Sequence, residues 1–309
     1  MASAQLLSVK FLCGHNPHYK RATAMTQTQV LPPAVLLIDV GNTRLKAGWV
    51  LPATGRRETS SIALAHSNIE KLADWIRQQP VRLAAAIGVN VAGDSVALSL
   101  DTLLLHQHAI HIHWNHSQPT NANVHNGYTQ PAQLGPDRWM AMIGLATQQD
   151  GSNTPMMLAN FGTATTIDTL VRCNNSNHTN PQWRFVGGLI LPGADLMRMS
   201  LNTGTARLPA AQGATAAFPN STQLAISSGV AAAQAGALLR QWLAVQETHQ
   251  IAPRVFSAGG AWTALENEVQ ALLSTMQTKL NLPTKPIQWL ASPVLDGLAQ
   301  LACNDQLSP

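Results

Sequence analysis

One local pattern occurs twice in this chain, and it constrains the fold more than any other feature. The stretch LLIDVGNTRLKAGWV (36–50) has an apolar run, a turn at Gly41-Asn42-Thr43, and alternating apolar residues after the turn. The stretch MMLANFGTATTIDTLV (156–171) repeats this order around Gly162. Such a pattern predicts a β-hairpin. Two matching hairpins about 120 residues apart indicate an internally duplicated chain.

The duplication predicts an α/β protein with two similar domains that face each other across a cleft. Gly, Ser, Asn and Pro cluster at 150–154, so we place the boundary there and expect domains at 34–152 and 153–309. Apolar periodicity predicts helices between and after the hairpins. They cover residues 67–79, 94–107, 134–148 and 222–248.

The first 33 residues lack periodicity and end in Pro-Pro. We expect a disordered or mis-started extension, with Met1 or Met25 as the true start. An acid-free basic segment of this kind also imitates a transit peptide.

Charge and composition exclude several function classes. Lys10, Lys20 and Arg21 precede the first acid and supply three of the four net positive charges, and no basic stripe interleaved with aromatic residues follows. We therefore expect no nucleic-acid partner. No run of 18 apolar residues occurs, so we expect no membrane span. Three scattered cysteines favour a reduced, cytoplasmic protein.

The glycine turns favour phosphate binding. A tight turn lets backbone N–H groups point at an anion, and glycine lets a phosphate approach closely. The chain has neither a P-loop nor a Gly-x-Gly-x-x-Gly fingerprint, so a nucleotide would be held by hairpin tips. Asp39, just before the first turn, offers a carboxylate to Mg²⁺, directly or through water. Strand alternation alone does not place Lys46 there, and a plain glycine-rich surface turn remains the alternative.

Five blocks in this order carry a family resemblance: DVGNTRLK, NGYTQPAQLGPDRW, NFGTATTID, GGLILPG and STQLAISSG. They resemble the type III pantothenate kinases, also called the Bvg accessory factor family, within the acetate kinase, sugar kinase, Hsp70 and actin superfamily. The resemblance covers roughly residues 35–302. It implies two ribonuclease H-like (actin/Hsp70-type) domains with mixed sheets flanking a nucleotide cleft. It also implies ATP- and Mg²⁺-dependent phosphorylation of pantothenate, the first step toward coenzyme A, by a homodimer.

The resemblance also implies site residues. For the nucleotide these are Asp39, Val40, Gly41, Asn42, Thr43, Arg44, Leu45, Lys46 and Thr163, with Asp39 near magnesium. For pantothenate they are Tyr128, Gly135, Pro136, Asp137, Arg138 and, across a dimer interface, Thr222.

One position departs from the family pattern. Where the family commonly has an acid that binds an activating K⁺ or NH₄⁺, this chain has Asn160. An amide oxygen can ligate a cation but contributes no full charge. We therefore expect K⁺ or NH₄⁺ to bind less tightly here or not at all.

Asp137 is the candidate general base, because a carboxylate can accept the proton of an attacking alcohol. A first-turn acid can instead cap its helix or pair with Arg138, and Arg138 can form a simple structural salt bridge.

Three further interpretations stay open. The five histidines from His106 to His116 invite a metal site or a polar strand face. SAGGAW (257–262) is either a glycine turn that contacts adenosine or a plain strand-to-helix turn. A non-catalytic transcriptional accessory factor, or a superfamily kinase for another small hydroxylated substrate, is the alternative function.

Overall fold

The structure is a computed structural model that describes residues 31–173, 182–209, 211 and 213–304. The described residues from Pro32 onward group into one compact unit. The predicted N-terminal extension lies almost entirely outside the described residues and stays a prediction. Within these ranges no helix is long and apolar enough to cross a membrane.

The first hairpin is the centre of a six-stranded mixed sheet. Its strands are β1 (Pro33–Val40), β2 (Arg44–Leu51), β3 (Arg56–Arg57), β4 (Ile62–Ala65), β5 (Arg82–Asn90) and β6 (Ile112–Trp114). They lie in the order β3-β2-β1-β5-β6, and β4 also pairs with β2. The β1–β2 pair is antiparallel and the β1–β5 pair is parallel. Helices α1 (Lys71–Arg77) and α2 (Asp94–His108) connect these strands.

The second hairpin is likewise central to a seven-stranded mixed sheet. Its strands are β7 (Thr120–Asn121), β8 (Val124–Asn126), β9 (Met156–Phe161), β10 (Ala164–Arg172), β11 (Trp183–Pro192), β12 (Arg254–Ala258) and β13 (Gln288–Trp289). Their order is β13-β12-β9-β10-β11-β8-β7. The accompanying helices are α3 (Pro136–Ala146), α4 (Ala194–Gly204), α5 (Thr222–His249), α6 (Trp262–Lys279) and α7 (Pro293–Asn304). The prediction of an α/β fold with two mixed sheets is confirmed. The domain boundary at 152–153 stays a prediction.

The two hairpins form for the same local reason. From Ala34 to Val40 every residue of β1 is buried, and β9 is buried except at Asn160. Such strands pair internally because their apolar side chains leave water. In each hairpin a glycine amide closes the turn: Gly41 N donates to Arg44 O at 3.0 Å, and Gly162 N donates to Ala164 O at 3.1 Å.

Helices α3 and α7 join the two sheets through one buried cluster. The cluster includes Leu37 of β1, Ile87 of β5, Leu158 of β9, Met140 of α3 and Leu298 of α7. Both hairpins and the start of α3 therefore rest on a shared core, which holds their relative positions.

The contact between α3 and α7 depends on two glycines. A Cβ added at Gly144 would lie 2.1 Å from the Pro293 carbonyl oxygen, and one added at Gly297 would lie 1.9 Å from the Met140 carbonyl oxygen. Overpacking of this kind against backbone atoms forces the helices apart.

We expect Gly297→Ala to lower the free energy of unfolding by roughly 1–3 kcal/mol. Gly236→Ala in α5 is the matched control, since no atom lies within 4 Å of its added Cβ. Alanine there should be neutral or stabilising by up to about 1 kcal/mol. Urea denaturation of both variants measures the difference. Equal stability of the two variants would show that the α3–α7 contact tolerates a side chain.

Candidate active site

Asp39 and Lys46 lie side by side at the open end of the first hairpin. They are direct partners in the β1–β2 register, so their side chains share one face. Asp39 and Lys46 are seven residues apart along the chain, a spacing that alternation along a single strand does not explain. They face each other because they lie on the two paired strands of the hairpin.

Asp39 is 9% exposed. Burial raises its pKa from the ordinary value of 3.8 to about 6; Lys46 lowers this pKa and Asp137 raises it. Burial and the nearby Asp137 both destabilise the ionised form of Asp39. A bound divalent cation would stabilise this ionised form, so the position suits a metal ligand.

The turn after Asp39 offers both backbone and side chains to solvent. Asn42, Thr43 and Arg44 are exposed, whereas the side chains of Val40 and Leu45 are fully buried in the core. Of the predicted nucleotide residues, Val40 and Leu45 can therefore contribute only through their backbone.

The tips of the two hairpins meet. Thr43 Oγ1 and Thr163 Oγ1 lie 2.7 Å apart and share a hydrogen bond. Gly193 supports the second tip: its amide donates to Thr163 O at 3.0 Å, and a Cβ on it would lie 2.1 Å from Gly162 O. The geometry brings together the two glycine turns that the sequence pairs by pattern alone.

A third glycine turn packs against the second hairpin. Gly259 has φ +92°, and a Cβ there would lie 2.3 Å from Phe161 O and 2.7 Å from Asn160 Oδ1. The amide of Ala261 donates to Phe161 O at 3.0 Å. This is the SAGGAW segment, which links β12 to α6 beside the half-buried Asn160.

Asp137 lies in the first turn of α3, after Gly135 as N-cap and Pro136 as the first helical residue. Its Oδ1 accepts a hydrogen bond from the Arg138 amide at 2.8 Å. Among the described residues no donor bonds to its Oδ2. Asp137 therefore bonds to the helix backbone through one oxygen. It does not pair with the Arg138 guanidinium, which was one alternative, and its other oxygen is available to a substrate.

Arg138 pairs with Asp168 in β10. Arg138 Nε donates to Asp168 Oδ2 at 3.2 Å and Nη2 donates to Oδ1 at 2.5 Å, while Nη1 donates to the Tyr128 hydroxyl at 2.8 Å. The Tyr128 ring stacks on Phe185 at a centroid distance of 5.6 Å. Burial opposes the Arg138 charge, but Asp168 raises the pKa of Arg138, so the guanidinium stays protonated.

From the sequence, Asp168 was expected to form hydrogen bonds within the second hairpin and was given no catalytic role, whereas the structure pairs it with Arg138 of α3. Its signal was an acid in the middle of a hairpin strand, close to the apolar Ile167 and Leu170. Charge is rarely buried without a partner.

Two other sequence candidates lie apart from this cluster. Thr222 is exposed at the start of α5 and lines a cavity of about 580 Å³ between α4 and α5. No hydrogen bond within the described ranges joins it to Tyr128, Asp137 or Arg138. The histidines divide between α2, β6 and the segments that flank β6, and the described residues hold no group of three metal-ligating side chains.

Comparison with known proteins places this chain in a family. The family model described as type III pantothenate kinase matches residues 35–244. The type III pantothenate kinase of Bordetella petrii is 43% identical over 270 residues, which cover 87% of this chain and 97% of that enzyme. The Bordetella bronchiseptica enzyme of the same name is 41% identical over 272 residues, or 87% and 98% of the two chains.

Among solved structures, the inorganic polyphosphate/ATP-glucomannokinase from Arthrobacter sp. strain KM is similar over 89% of this chain and 99% of that one. Its TM-score is 0.40 and its identity is 11%. The family model and the curated relatives together give a single assignment: the chain belongs to the type III pantothenate kinase family.

Proposed function

We propose that this protein transfers the γ-phosphoryl group of ATP to the primary hydroxyl of pantothenate, the first step of coenzyme A biosynthesis. The carrying observation is that the tips of the two glycine-turn hairpins meet, since Thr43 Oγ1 lies 2.7 Å from Thr163 Oγ1. The buried acid Asp39 lies near the end of β1 in the first hairpin, and the charge of Asp137 at the start of α3 raises its pKa. Family membership supports pantothenate as the substrate and is consistent with ATP as the donor.

The two hairpin tips hold the nucleotide in this proposal. Backbone N–H groups of the turn after Gly41, together with the side chains of Asn42, Thr43, Arg44 and Thr163, face the phosphates, while the Gly41 amide keeps the turn closed. Mg²⁺ fits beside Asp39, directly or through water, and when bound it offsets charge on the transferring phosphoryl group. Lys46 adds positive charge on the same face of the sheet.

The start of α3 holds pantothenate. Asp137 accepts the proton of the attacking hydroxyl through Oδ2, while Oδ1 keeps the carboxylate oriented on the helix backbone. Gly135 and Pro136 shape the approach to this carboxylate, and Tyr128 and Arg138 offer hydrogen bonds to oxygen atoms of the substrate. As the γ-phosphoryl group moves to the hydroxyl oxygen of pantothenate and ADP leaves, the hydroxyl proton passes to Asp137. The oxygen that becomes the phosphate ester therefore carries no positive charge in the product.

We further propose a cytoplasmic homodimer in which Thr222 of a second copy completes the pantothenate site. The exposed position of Thr222 supports this, since it makes no contact with Asp137 or Arg138 of its own chain among the bonds described.

Asn160 predicts that turnover does not depend strongly on a monovalent cation. Because its amide carries no full charge, we expect wild-type turnover to change less than about twofold when Na⁺ replaces K⁺ or NH₄⁺. Asn160→Asp restores a carboxylate and should make turnover depend on K⁺ or NH₄⁺. Initial rates in matched chloride salts measure both proteins. A strong K⁺ requirement in the wild type would show that the amide oxygen suffices as a ligand.

The proposed function is tested by ADP release from ATP and Mg²⁺ with and without pantothenate. We expect release to require pantothenate and to saturate with it. ADP release that ignores pantothenate, or no release in any monovalent salt, would overturn the assignment.

A further inference from the structure

Asp168 is buried where a carboxylate is costly. It is 1% exposed and lies opposite the buried Leu158 of β9. Directly across the register lies Gly188, and a Cβ added there would lie 2.3 Å from Asp168 Oδ1. The missing side chain leaves the room that this carboxylate occupies.

The Asp168–Arg138 contact fixes a plane, because both carboxylate oxygens take part. The guanidinium has five N–H donors in a rigid fork. Three are used in the structure: Nε and one N–H of Nη2 on Asp168, and one N–H of Nη1 on Tyr128. The other two N–H groups, one on each terminal nitrogen, therefore have a fixed direction.

A stability role alone explains this pair poorly. Buried ion pairs contribute little net stability compared with well-packed apolar residues of similar volume. The pair also lies next to Asp137 along α3, and the charge of Asp137 acts on Asp168. The better explanation for two buried charges is that the Asp168–Arg138 pair holds the Arg138 guanidinium in one orientation toward a ligand bound beside Asp137.

We infer that Asp168 is a positioning residue that orients Arg138, so that the two remaining N–H groups of the guanidinium donate to oxygen atoms of pantothenate. This inference rests on the proposed function and adds a residue that itself touches neither substrate. Without Asp168 the guanidinium rotates, and the hydrogen bonds to pantothenate lose their alignment while the nucleotide hairpins are unaffected.

The Asp168→Asn variant tests this. It keeps the shape but loses the charged two-point contact, so we expect the KM for pantothenate to rise roughly tenfold or more. The KM for ATP should stay within about twofold, because Asp168 bonds to neither hairpin tip. Thr169→Val is the matched control on the same strand. Thr169 is fully buried and its hydroxyl has no partner among the described residues, so both KM values should be unchanged.

A second comparison covers the case in which Asp168→Asn fails to fold. The double variant Arg138→Gln/Asp168→Asn leaves no unpaired buried charge and is expected to fold. If Asp168 acts only through Arg138, the double variant binds pantothenate as weakly as Arg138→Gln alone, within about twofold. A further loss of roughly fivefold or more would overturn the inference.

Direct binding separates this inference from the proposed function. Calorimetric titration of pantothenate into the enzyme with a non-hydrolysable ATP analogue gives a Kd for each variant. An active wild type with an unchanged pantothenate Kd in Asp168→Asn overturns the inference alone. Equal losses for pantothenate and nucleotide also overturn it, since they indicate a general structural role. A wild type that neither binds nor phosphorylates pantothenate overturns the proposed function and this inference together.

Discussion

The Asp137→Asn variant is expected to lose kcat by roughly 10²–10⁴-fold with a small change in the KM for pantothenate. The asparagine side chain keeps the shape of aspartate, and its oxygen can still accept the hydrogen bond that the backbone N–H of Arg138 donates to Oδ1 in the wild type. It cannot take the proton of the attacking hydroxyl. Steady-state kinetics with varied pantothenate measure the separation between kcat and KM.

Asp94→Asn is the matched control for this variant. Asp94 is the first residue of α2 and, like Asp137, an acid in the first turn of a helix that follows a glycine N-cap. It is exposed and belongs to neither hairpin. Its replacement should leave kcat unchanged. Retained activity in Asp137→Asn, or an equal loss in both variants, would contradict the general-base role.

The Asp39→Asn variant is expected to lose activity and gain stability. Without the carboxylate, Mg²⁺ and the phosphates that it neutralises should bind less well, so kcat/KM should fall by roughly 10²-fold or more. The stability change has the opposite sign, because burial raises the pKa of Asp39 to about 6. The folded state therefore holds this proton more tightly than the unfolded chain, whose ordinary value is 3.8.

The pH dependence follows from that sign. Between about pH 4 and pH 6 the folded protein binds more protons at Asp39 than the unfolded chain does, so stability falls as pH rises. Above pH 6 the loss is complete and on the order of 2–3 kcal/mol. Asparagine does not ionise and escapes this loss. In the absence of metal and nucleotide, Asp39→Asn should be more stable than wild type at pH 8, and the gain should vanish below about pH 4.

Urea denaturation of both metal-free proteins at the two pH values measures the difference. A variant that is less stable than wild type at pH 8 would mean that Lys46 already stabilises the ionised carboxylate, contrary to the raised pKa.

Local pattern sufficed for much of the fold. Both hairpins, the paired glycine turns and a helix over 134–148 were predicted, because alternation, glycine turns and helical periodicity act over a few residues. The observed helix α3 covers Pro136–Ala146, with Pro136 in the first helical position. The helix expected at 67–79 is shorter, and α1 covers only Lys71–Arg77, preceded by a 3₁₀ turn at His66–Asn68. The two- and three-residue strands β7 and β8 were not predicted, since such short strands carry no measurable period. The helix α4 was not predicted either.

The part of the site that sequence could not give depends on register between strands and helices. Asp39 and Lys46 become neighbours only when β1 and β2 are paired residue by residue. Asp168 and Arg138 are 30 residues apart and meet only through the packing of α3 on β10. Motifs place residues on elements, whereas tertiary contacts decide which of those residues face each other.

The most direct test of the kinase assignment is to identify the product. The protein would be incubated with ATP, Mg²⁺ and pantothenate, and the pantothenate product examined by mass spectrometry and ³¹P NMR. Our account predicts one phosphate on the primary hydroxyl of pantothenate, formed in equal amount with ADP and absent with Asp137→Asn. Unmodified pantothenate beside consumed ATP would contradict it.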